Sequence, residues 1–448
     1  METVAAISTP NASGGIGMIR ISGENAIAIA EQAFTAQNGT KVSQMRGYSC
    51  AYGTISDGDT LLDDVVLTVF RAPHSYTGED TVEITCHGGV YLCRRILSLM
   101  FRLGALPAGA GEFTKRAYLN GKLSLSQAEA VMNVISAEGE TALRQANLVR
   151  SGRLAQKMLN CADTITEMLS AFAYWMDDAE EFPPELQEDT LISSIEALRA
   201  ELAEMQKNYQ NGKVFQEGIR TVLLGLPNAG KSSVMNWLAG MRRSIVTDIA
   251  GTTRDVVTER VRLGEYTLIL ADTAGIRETD NPIESLGVEI AFEEVQQSDL
   301  ILYVVDAAHG LNAEDTSILE KYADRKCVIL WNKTDAADVQ PPEMQMPVVP
   351  CSAKQMQGED ALLSAMQQIY PVPAASDAPT ILNERQNALL QNAISQLECA
   401  ISDLQAQMML DMVYQDLELA ASALSELEGK SVPENVVNGV FSRFCVGK

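Results

Sequence analysis

At 448 residues, with 46% hydrophobic and 21% charged side chains, the chain reads as an ordinary globular protein too long for one core, so two or three domains are expected. A formal net charge of −25 excludes broad electrostatic binding to nucleic acid, and no apolar run approaches the ~20 residues of a membrane span. Eight cysteines without a Cys-x-x-Cys pair point to reduced thiols, and the start at Met1 lacks the basic stretch of a secretory signal, so the expected location is cytoplasmic.

Residues 1–120 are nearly balanced in charge, with Arg94, Arg95, Arg102, Lys115 and Arg116 close together. They mix short apolar runs at 16–21, 65–70 and 81–86 with a helical stretch at 90–103, which predicts an α/β or α+β domain. From about residue 121 the pattern turns helical. Leu154, Met158, Cys161, Ile165, Met168, Phe172 and Trp175 alternate in steps of four and three, a buried stripe. An acidic, proline-containing break at 177–184 follows, and Ile195, Leu198, Leu202 and Met205 continue the stripe pattern. Residues 214–373 alternate strands and helices. After a proline-bearing linker, Leu390, Ile394, Leu397, Ile401, Leu404 and Met408 form a second stripe. A tail of this length cannot bury such a stripe alone. Either it packs on the earlier helices or it docks on the α/β segment. The first solution gives three domains: 1–120, a discontinuous helical domain of 121–213 plus 374–448, and 214–373.

The chemistry concentrates in the middle segment. The apolar run 221–224 leads into Gly225, Gly230, Lys231 and Ser232, spaced as G-x-x-x-x-G-K-S. In that pattern backbone N–H groups of residues such as Asn228, Ala229, Gly230 and Ser233 curl around phosphate oxygens. Lys231 reaches the terminal phosphates and the Ser232 hydroxyl holds Mg²⁺. Downstream, Gly251-Thr252-Thr253-Arg254-Asp255 resembles a switch segment whose Thr253 hydroxyl can complete the metal shell. Asp272-Thr273-Ala274-Gly275 ends the strand 266–271, where a carboxylate can reach Mg²⁺ through water and a glycine N–H can sense the γ-phosphate. Asn332-Lys333-Thr334-Asp335 closes a further strand. The Asp335 carboxylate can accept from guanine N1–H and its exocyclic amine, whereas adenine would leave it unpaired. Ser352, Ala353 and Lys354 supply backbone near the base. These five elements, in order, indicate a GTP-binding domain. His87 has no metal-binding companions in sequence and reads as a loop histidine before a helix.

Other residues lie outside the generic GTPase set. They are Gly14-Gly15-Ile16-Gly17 with Arg20 to Gly23, Ser75 to Asp80 with His87-Gly88-Gly89, Gly111 to Ala117, Asn120 to Leu123 with Gln127-Ala128-Glu129, Asp248 to Asp255, and Phe444 to Lys448. Together they resemble the tRNA-modifying GTPase family MnmE (TrmE), of the TrmE-Era-EngA-YihA-Septin-like GTPases, along the whole chain. Ser13 and Ala110 depart from the usual arginine and proline of that pattern. The resemblance implies an α/β P-loop GTPase domain inserted into an α-helical domain, preceded by an α+β tetrahydrofolate-binding domain that also dimerises. It implies that Arg20, Glu83 and Lys122 contact a 5-formyl- or methylene-tetrahydrofolate, with Lys448 nearby.

For the GTPase the resemblance implies nucleotide contacts from Thr247, Asp248, Ile249, Ala250, Gly251, Thr252 and Thr253. It implies K⁺ held by Asn228 and by Thr247, Ile249 and Thr252 when two GTPase domains dimerise. Ile276 stands where many small GTPases carry a water-orienting glutamine, and Glu284 takes that role by position. Arg277 is the alternative charge donor. Cys445 would lie near the modification site, as a reactive or an inert thiol. Its ending, Cys445 to Lys448, is a poor prenylation signal because Gly447 and Lys448 do not suit one. The implied reaction, with the FAD-binding partner MnmG in a heterotetramer, adds a carboxymethylaminomethyl or aminomethyl group at carbon 5 of the wobble uridine. Most tRNA affinity would come from the partner, and no membrane is involved. A ribosome-assembly or signalling GTPase without transfer chemistry is the alternative; it lacks support from any Gly-x-x-Gly in basic surroundings.

Overall fold

Period-two alternation builds the first sheet. The computed structural model describes residues 1–177, 183–241, 259–270, 295–337, 339–372, 383–430 and 432–448. Strands β1 (Val4–Ile7), β2 (Ile16–Ser22), β3 (Phe34–Ala36), β4 (Ser49–Asp57), β5 (Thr60–Phe70), β6 (Thr81–His87) and β7 (Leu106–Pro107) form a seven-stranded sheet in the order β3-β4-β5-β6-β2-β1-β7. On one face Ile19, Ile21, Val82, Ile84, Leu67 and Val69 enter a core with Ala30 of α1 (Ala26–Ala33) and Ile96 of α2 (Val90–Arg102). The other face carries the alternate residues. There the register sets Arg20 opposite Glu83 and Tyr52 opposite Val66, and Tyr52 and Val66 are exposed. The three apolar runs and the helix expected from sequence are all present, β5 extending five residues further toward its turn. Helix α3 (Glu112–Leu119) follows β7.

Helices α4 (Leu125–Ser136), α5 (Glu140–Arg150), α6 (Arg153–Asp177) and α7 (Glu188–Gln216) come next. The first stripe is buried at Leu154, Met158, Cys161, Ile165 and Phe172, and half-buried at Met168 and Trp175. The chain then forms strands β8 (Ile219–Leu224), β9 (Glu259–Leu263), β10 (Tyr266–Leu270), β11 (Leu300–Asp306), β12 (Cys327–Asn332) and β13 (Val348–Pro350). Among the described residues these make a six-stranded sheet, β13-β12-β11-β8-β10-β9, parallel except for β9. Strand β12 is buried at every position and β11 at all but its last, as parallel strands covered on both faces require. Helices α8 (Lys231–Gly240), α9 (Ala313–Lys321) and α10 (Glu359–Ile369) complete this G-domain-like layer.

The tail forms α11 (Glu384–Gln405), α12 (Leu410–Leu427) and α13 (Glu434–Phe441). Its stripe is buried from Leu390 through Leu404, but Met408 is exposed. Helix α11 has ended by then, and Gln407 turns left-handed at φ 53°, so the 3.6-residue period no longer applies. Helix α12 packs on α6, with Phe172 and Tyr414 edge-to-face at 6.1 Å between centroids. Leu125 and Ala128 of α4 share a small core with Val437, Phe441 and Phe444. The α/β layer is thus inserted, in sequence, into a helical region. By contacts the chain divides into two compact units: 1–132, 150–194 and 395–448 form one, and 133–149 with 195–394 the other. Among the described residues no helix is long and apolar enough to cross a membrane.

The last residues dock in the first unit. Val446 bridges Ala110, Ser8 Oγ donates to the Gly447 carbonyl at 2.9 Å, and Phe113 N–H donates to the Lys448 carbonyl at 3.1 Å. Gly447 has φ +96°, and a Cβ there would collide with the Ile7 carbonyl oxygen. Left-handed backbone costs a side-chain-bearing residue about 1–2 kcal/mol before any clash. Gly447→Ala should release residues 444–448, and trypsin should then cleave after the exposed Arg443 faster than in the parent chain while the far-ultraviolet circular dichroism stays the same.

Candidate nucleotide-binding site

Strand β8 delivers the phosphate loop at the carboxyl edge of the parallel sheet, where open α/β sheets bind ligands. Gly230 precedes α8 at φ +100°, and a Cβ on it would strike Asn332 Nδ2, so the close approach of β12 requires glycine. Lys231 opens α8 and its Nζ donates to the carbonyls of Gly225 at 2.8 Å and Leu226 at 3.0 Å, which holds the ammonium within the loop. Ser232 and Ser233 lie in the first turn of the helix, whose N-terminus favours negative charge. Asn228 adopts a left-handed backbone at φ 65°.

Residues at and past the end of β12 lock this loop. Asn332 Nδ2 donates to the Ala229 carbonyl at 3.0 Å, and its Oδ1 accepts from Ala353 N–H at 3.1 Å. Lys333, left-handed at φ 67°, donates to the Asn228 carbonyl at 2.8 Å and to Asp306 Oδ2 at 2.7 Å. Thr334 donates through both N–H and Oγ1 to the Cys351 carbonyl. Ser352 Oγ donates to Asp335 Oδ1 at 2.6 Å, which orients that carboxylate at the surface. Lys354 is exposed in the same loop. The structure therefore gathers Asn228 to Ser233, Asn332 to Asp335 and Ser352 to Lys354 at one edge.

Asp306 was not singled out in sequence, although a carboxylate closing a central parallel strand was the available signal. Burial pushes its pKa up, but bonds from Lys333, Ala308 N–H and His309 outweigh that and hold the carboxyl below its ordinary value. A cleft of about 330 Å³ lies beside the loop. The carboxylates of Asp306 and Asp315 in its lining make it a poor phosphate subsite. Thr247, Asp248, Ile249, Ala250, Gly251, Thr252 and Thr253 lie outside the described residues. So do Asp272, Thr273, Ala274, Gly275, Ile276, Arg277 and Glu284.

A second cluster occupies the first unit. Arg20 donates through Nε at 2.8 Å to Glu83 Oε1, and its Nη2 lies 2.7 Å from the same oxygen. The guanidinium sits 5.4 Å from the Phe113 ring centroid and 5.9 Å from that of Tyr76. Tyr76 shares a hydrogen bond with Thr114 at 3.0 Å, and burial raises its pKa. Lys122 Nζ donates to the Pro73 carbonyl at 3.0 Å, and Asn120 Nδ2 to that of Thr77 at 2.7 Å. Arg20 and Glu83 thus touch each other, Lys448 is joined by its carbonyl to Phe113, and Lys122 reaches the loop that carries Tyr76.

Cys445 is exposed. The thiols of Cys86, Cys327 and Cys351 are buried and pushed up to about 12, so they stay protonated. Among the described residues no cluster of three or more histidine, cysteine, aspartate or glutamate side chains is placed to hold a metal ion, and His87 pairs with Asp63 at 2.8 Å.

A loop of this pattern at the end of β8, braced by Asn332 and Lys333, defines the class: a P-loop GTPase, a GTP-hydrolysing enzyme. Two family models match the chain, "GTP-binding protein TrmE N-terminus" over residues 3–122 and "MnmE helical domain" over residues 125–445. The "tRNA modification GTPase MnmE" of Lachnoclostridium phytofermentans is 39% identical over 456 residues, covering 100% of this chain and 99% of that protein. The protein of that name from Clostridioides difficile is 37% identical over 455 residues with the same coverage, and that of Bacillus subtilis 37% over 459 residues and 100% of both. The chain belongs to the MnmE (TrmE) family.

Asp306→Asn keeps the volume but removes the charge opposing Lys333. Guanine-nucleotide affinity, measured by fluorescent-nucleotide titration, should fall about tenfold, the ~1.4 kcal/mol of a lost charged hydrogen bond. Because the Asp306 pKa is depressed, its contribution is complete above the ordinary value of 3.8 and is lost only as pH falls through the lower folded value. The parent and variant affinities should therefore differ by the same factor throughout the neutral range.

Proposed function

We propose that this chain hydrolyses GTP to drive modification of tRNA at carbon 5 of the wobble uridine, acting with an FAD-binding partner of the MnmG kind. The observation that carries the reading is full-length similarity to tRNA modification GTPases together with the braced nucleotide edge. Asp335, oriented by Ser352, reads the guanine edge, and Asn332 keeps the phosphate loop registered on the base-side loop. Lys231 and the first-turn amides of α8 hold the terminal phosphates. Hydroxyl oxygens suit Mg²⁺, so Ser232 and Thr253 would hold it, where it neutralises phosphate charge.

Charge compensation is assigned to K⁺ on Asn228 with Thr247, Ile249 and Thr252, and water orientation to Glu284. The carbonyl of Asn228 is tied down by Lys333, which leaves its side chain to serve an ion. GTPase rates should be at least about tenfold higher in K⁺ than in equimolar Na⁺, since charge compensation at this point is worth ~10³–10⁵ in GTPases. Equal rates would remove the ion assignment.

In the first unit, Arg20, Glu83, Lys122 and Lys448 are proposed to hold a tetrahydrofolate derivative, in its 5-formyl or methylene form, which supplies the one-carbon unit. The fit is chemical. Glu83 offers a carboxylate to a guanine-like pterin edge, Tyr76 and Phe113 offer flat apolar surface beside it, and the cations suit a glutamate tail. A ligand there must share or displace the Arg20–Glu83 pair. Tyr52 and Val66, exposed on the same sheet face, support homodimerisation through this domain. The domains are proposed as 1–120, 121–213 plus 374–448, and 214–373. Cys445, an exposed thiol, is proposed to lie near the modification site. With a net charge of −25, most tRNA affinity is assigned to the partner. Nucleoside analysis of tRNA from a strain lacking this chain should show loss of the carbon-5 modification. An unchanged wobble uridine would replace this reading with a GTPase switch free of transfer chemistry.

A further inference from the structure

Residues 133–149 leave the first compact unit, join the second, and the chain then returns. At the elbow of this excursion, between α4 and α5, Glu138 reaches the β9–β10 hairpin. Its Oε2 accepts from Thr267 Oγ1 at 2.7 Å, and its Oε1 lies 3.5 Å from Arg260 Nε. The hairpin answers with a carboxylate of its own. Glu265, at the turn, accepts from Thr141 N–H at 3.0 Å. Thr141 lies in the first turn of α5, where amides lack intrahelical partners and negative charge is favoured. Thr141, Ala142, Gln145, Ala146 and Val149 are buried, and Gln216 Nε2 donates to the Ala142 carbonyl at 3.1 Å, so α5 is seated firmly.

The hairpin is placed to report on the nucleotide. Strand β9 begins four residues after Asp255, and β10 ends two residues before Asp272, so its open end joins both expected nucleotide-sensing motifs. Register pairs Glu259 with Leu270 there, and β10 also pairs with β8, the strand that carries the phosphate loop. One hairpin face, Val261, Leu263, Tyr266, Leu268 and Leu270, packs in the core. Thr267 and Arg260 lie on the other, under Glu138. A paired antiparallel hairpin moves as a body, so displacement at its open end arrives at Glu265 about five residues, or ~17 Å, away.

We propose that Glu138 and Glu265 form a reciprocal two-carboxylate clamp through which the nucleotide state of the β9–β10 hairpin is transmitted to the α4–α5 elbow. The clamp rests on the GTPase reading and adds the element that carries its output. Glu138 is a positioning residue: it acts on the hairpin through Thr267 and Arg260. Thermodynamic linkage requires reciprocity, so a clamp that differs between nucleotide states must alter the relative affinity for those nucleotides.

The test uses the full chain, with GDP and a non-hydrolysable GTP analogue. Hydrogen exchange at the amides of residues 139–143 should differ between the two nucleotides in the parent protein. Glu138→Ala and Thr267→Val should reduce that difference at least about fivefold and shift the ratio of the two dissociation constants by the same factor. Glu138→Gln, which keeps an acceptor for Thr267 but loses the attraction to Arg260, should restore part of both. No nucleotide-dependent difference in the parent, or an undiminished one in Glu138→Ala with an unchanged affinity ratio, overturns the clamp. Failure of the parent chain to bind either nucleotide overturns the GTPase reading instead.

Discussion

Asn228 and Lys333 face each other as two left-handed, non-glycine residues joined by one hydrogen bond, and the nucleotide edge depends on that contact. Each such backbone costs about 1–2 kcal/mol, so the conformation persists only where surroundings over-determine it. Asp306 supplies that surplus by holding the Lys333 ammonium at 2.7 Å, and a hydrogen bond to a charged group contributes about 1.5–3 kcal/mol. Asn332 adds a second tie between the phosphate loop and the base-side loop. All of these residues sit at the carboxyl ends of β8, β11 and β12. Parallel pairing alone brings those three ends together.

A comparable economy governs the first unit. Arg116, almost fully buried, is satisfied by Glu79, Glu112 and the Glu2 carbonyl, as a buried charge must be. Glu79 also accepts from Ser22, so the loop before β6 is pinned to β2. That loop carries Tyr76, which lies beside Arg20, while α3 carries Phe113 and holds the chain's last residue. Residues 444–448, α3 and the Arg20–Glu83 pair are therefore one contiguous assembly, joined by hydrogen bonds and by the contacts of Arg20 with the Phe113 and Tyr76 rings.

Much of the secondary structure was legible. The stripes at 154–175 and 390–404 are helices with buried faces, because a 3.6-residue period survives wherever one side is covered. The Met408 position failed for a local reason: a left-handed turn two residues after the helix ends resets the period. The phosphate loop and Asn332 to Asp335 were legible because their chemistry requires contiguous residues. Asp306 and Glu138 were not, since a single carboxylate in sequence has no partner until the fold supplies one.

From local patterns alone the chain declares a guanine-nucleotide chemistry, alternating strands and helices in its middle segment with helical stripes on either side, and its family resemblance. Backbone curvature around phosphate, strand alternation and helix periodicity are all encoded within short windows. The pairings came from the fold: Lys333 on Asp306 across 27 residues, Arg20 on Glu83 across 63, Thr267 on Glu138 across 129, and Ser8 on Gly447 across 439. Strand order and register set those distances, and no local period in the chain carries that information.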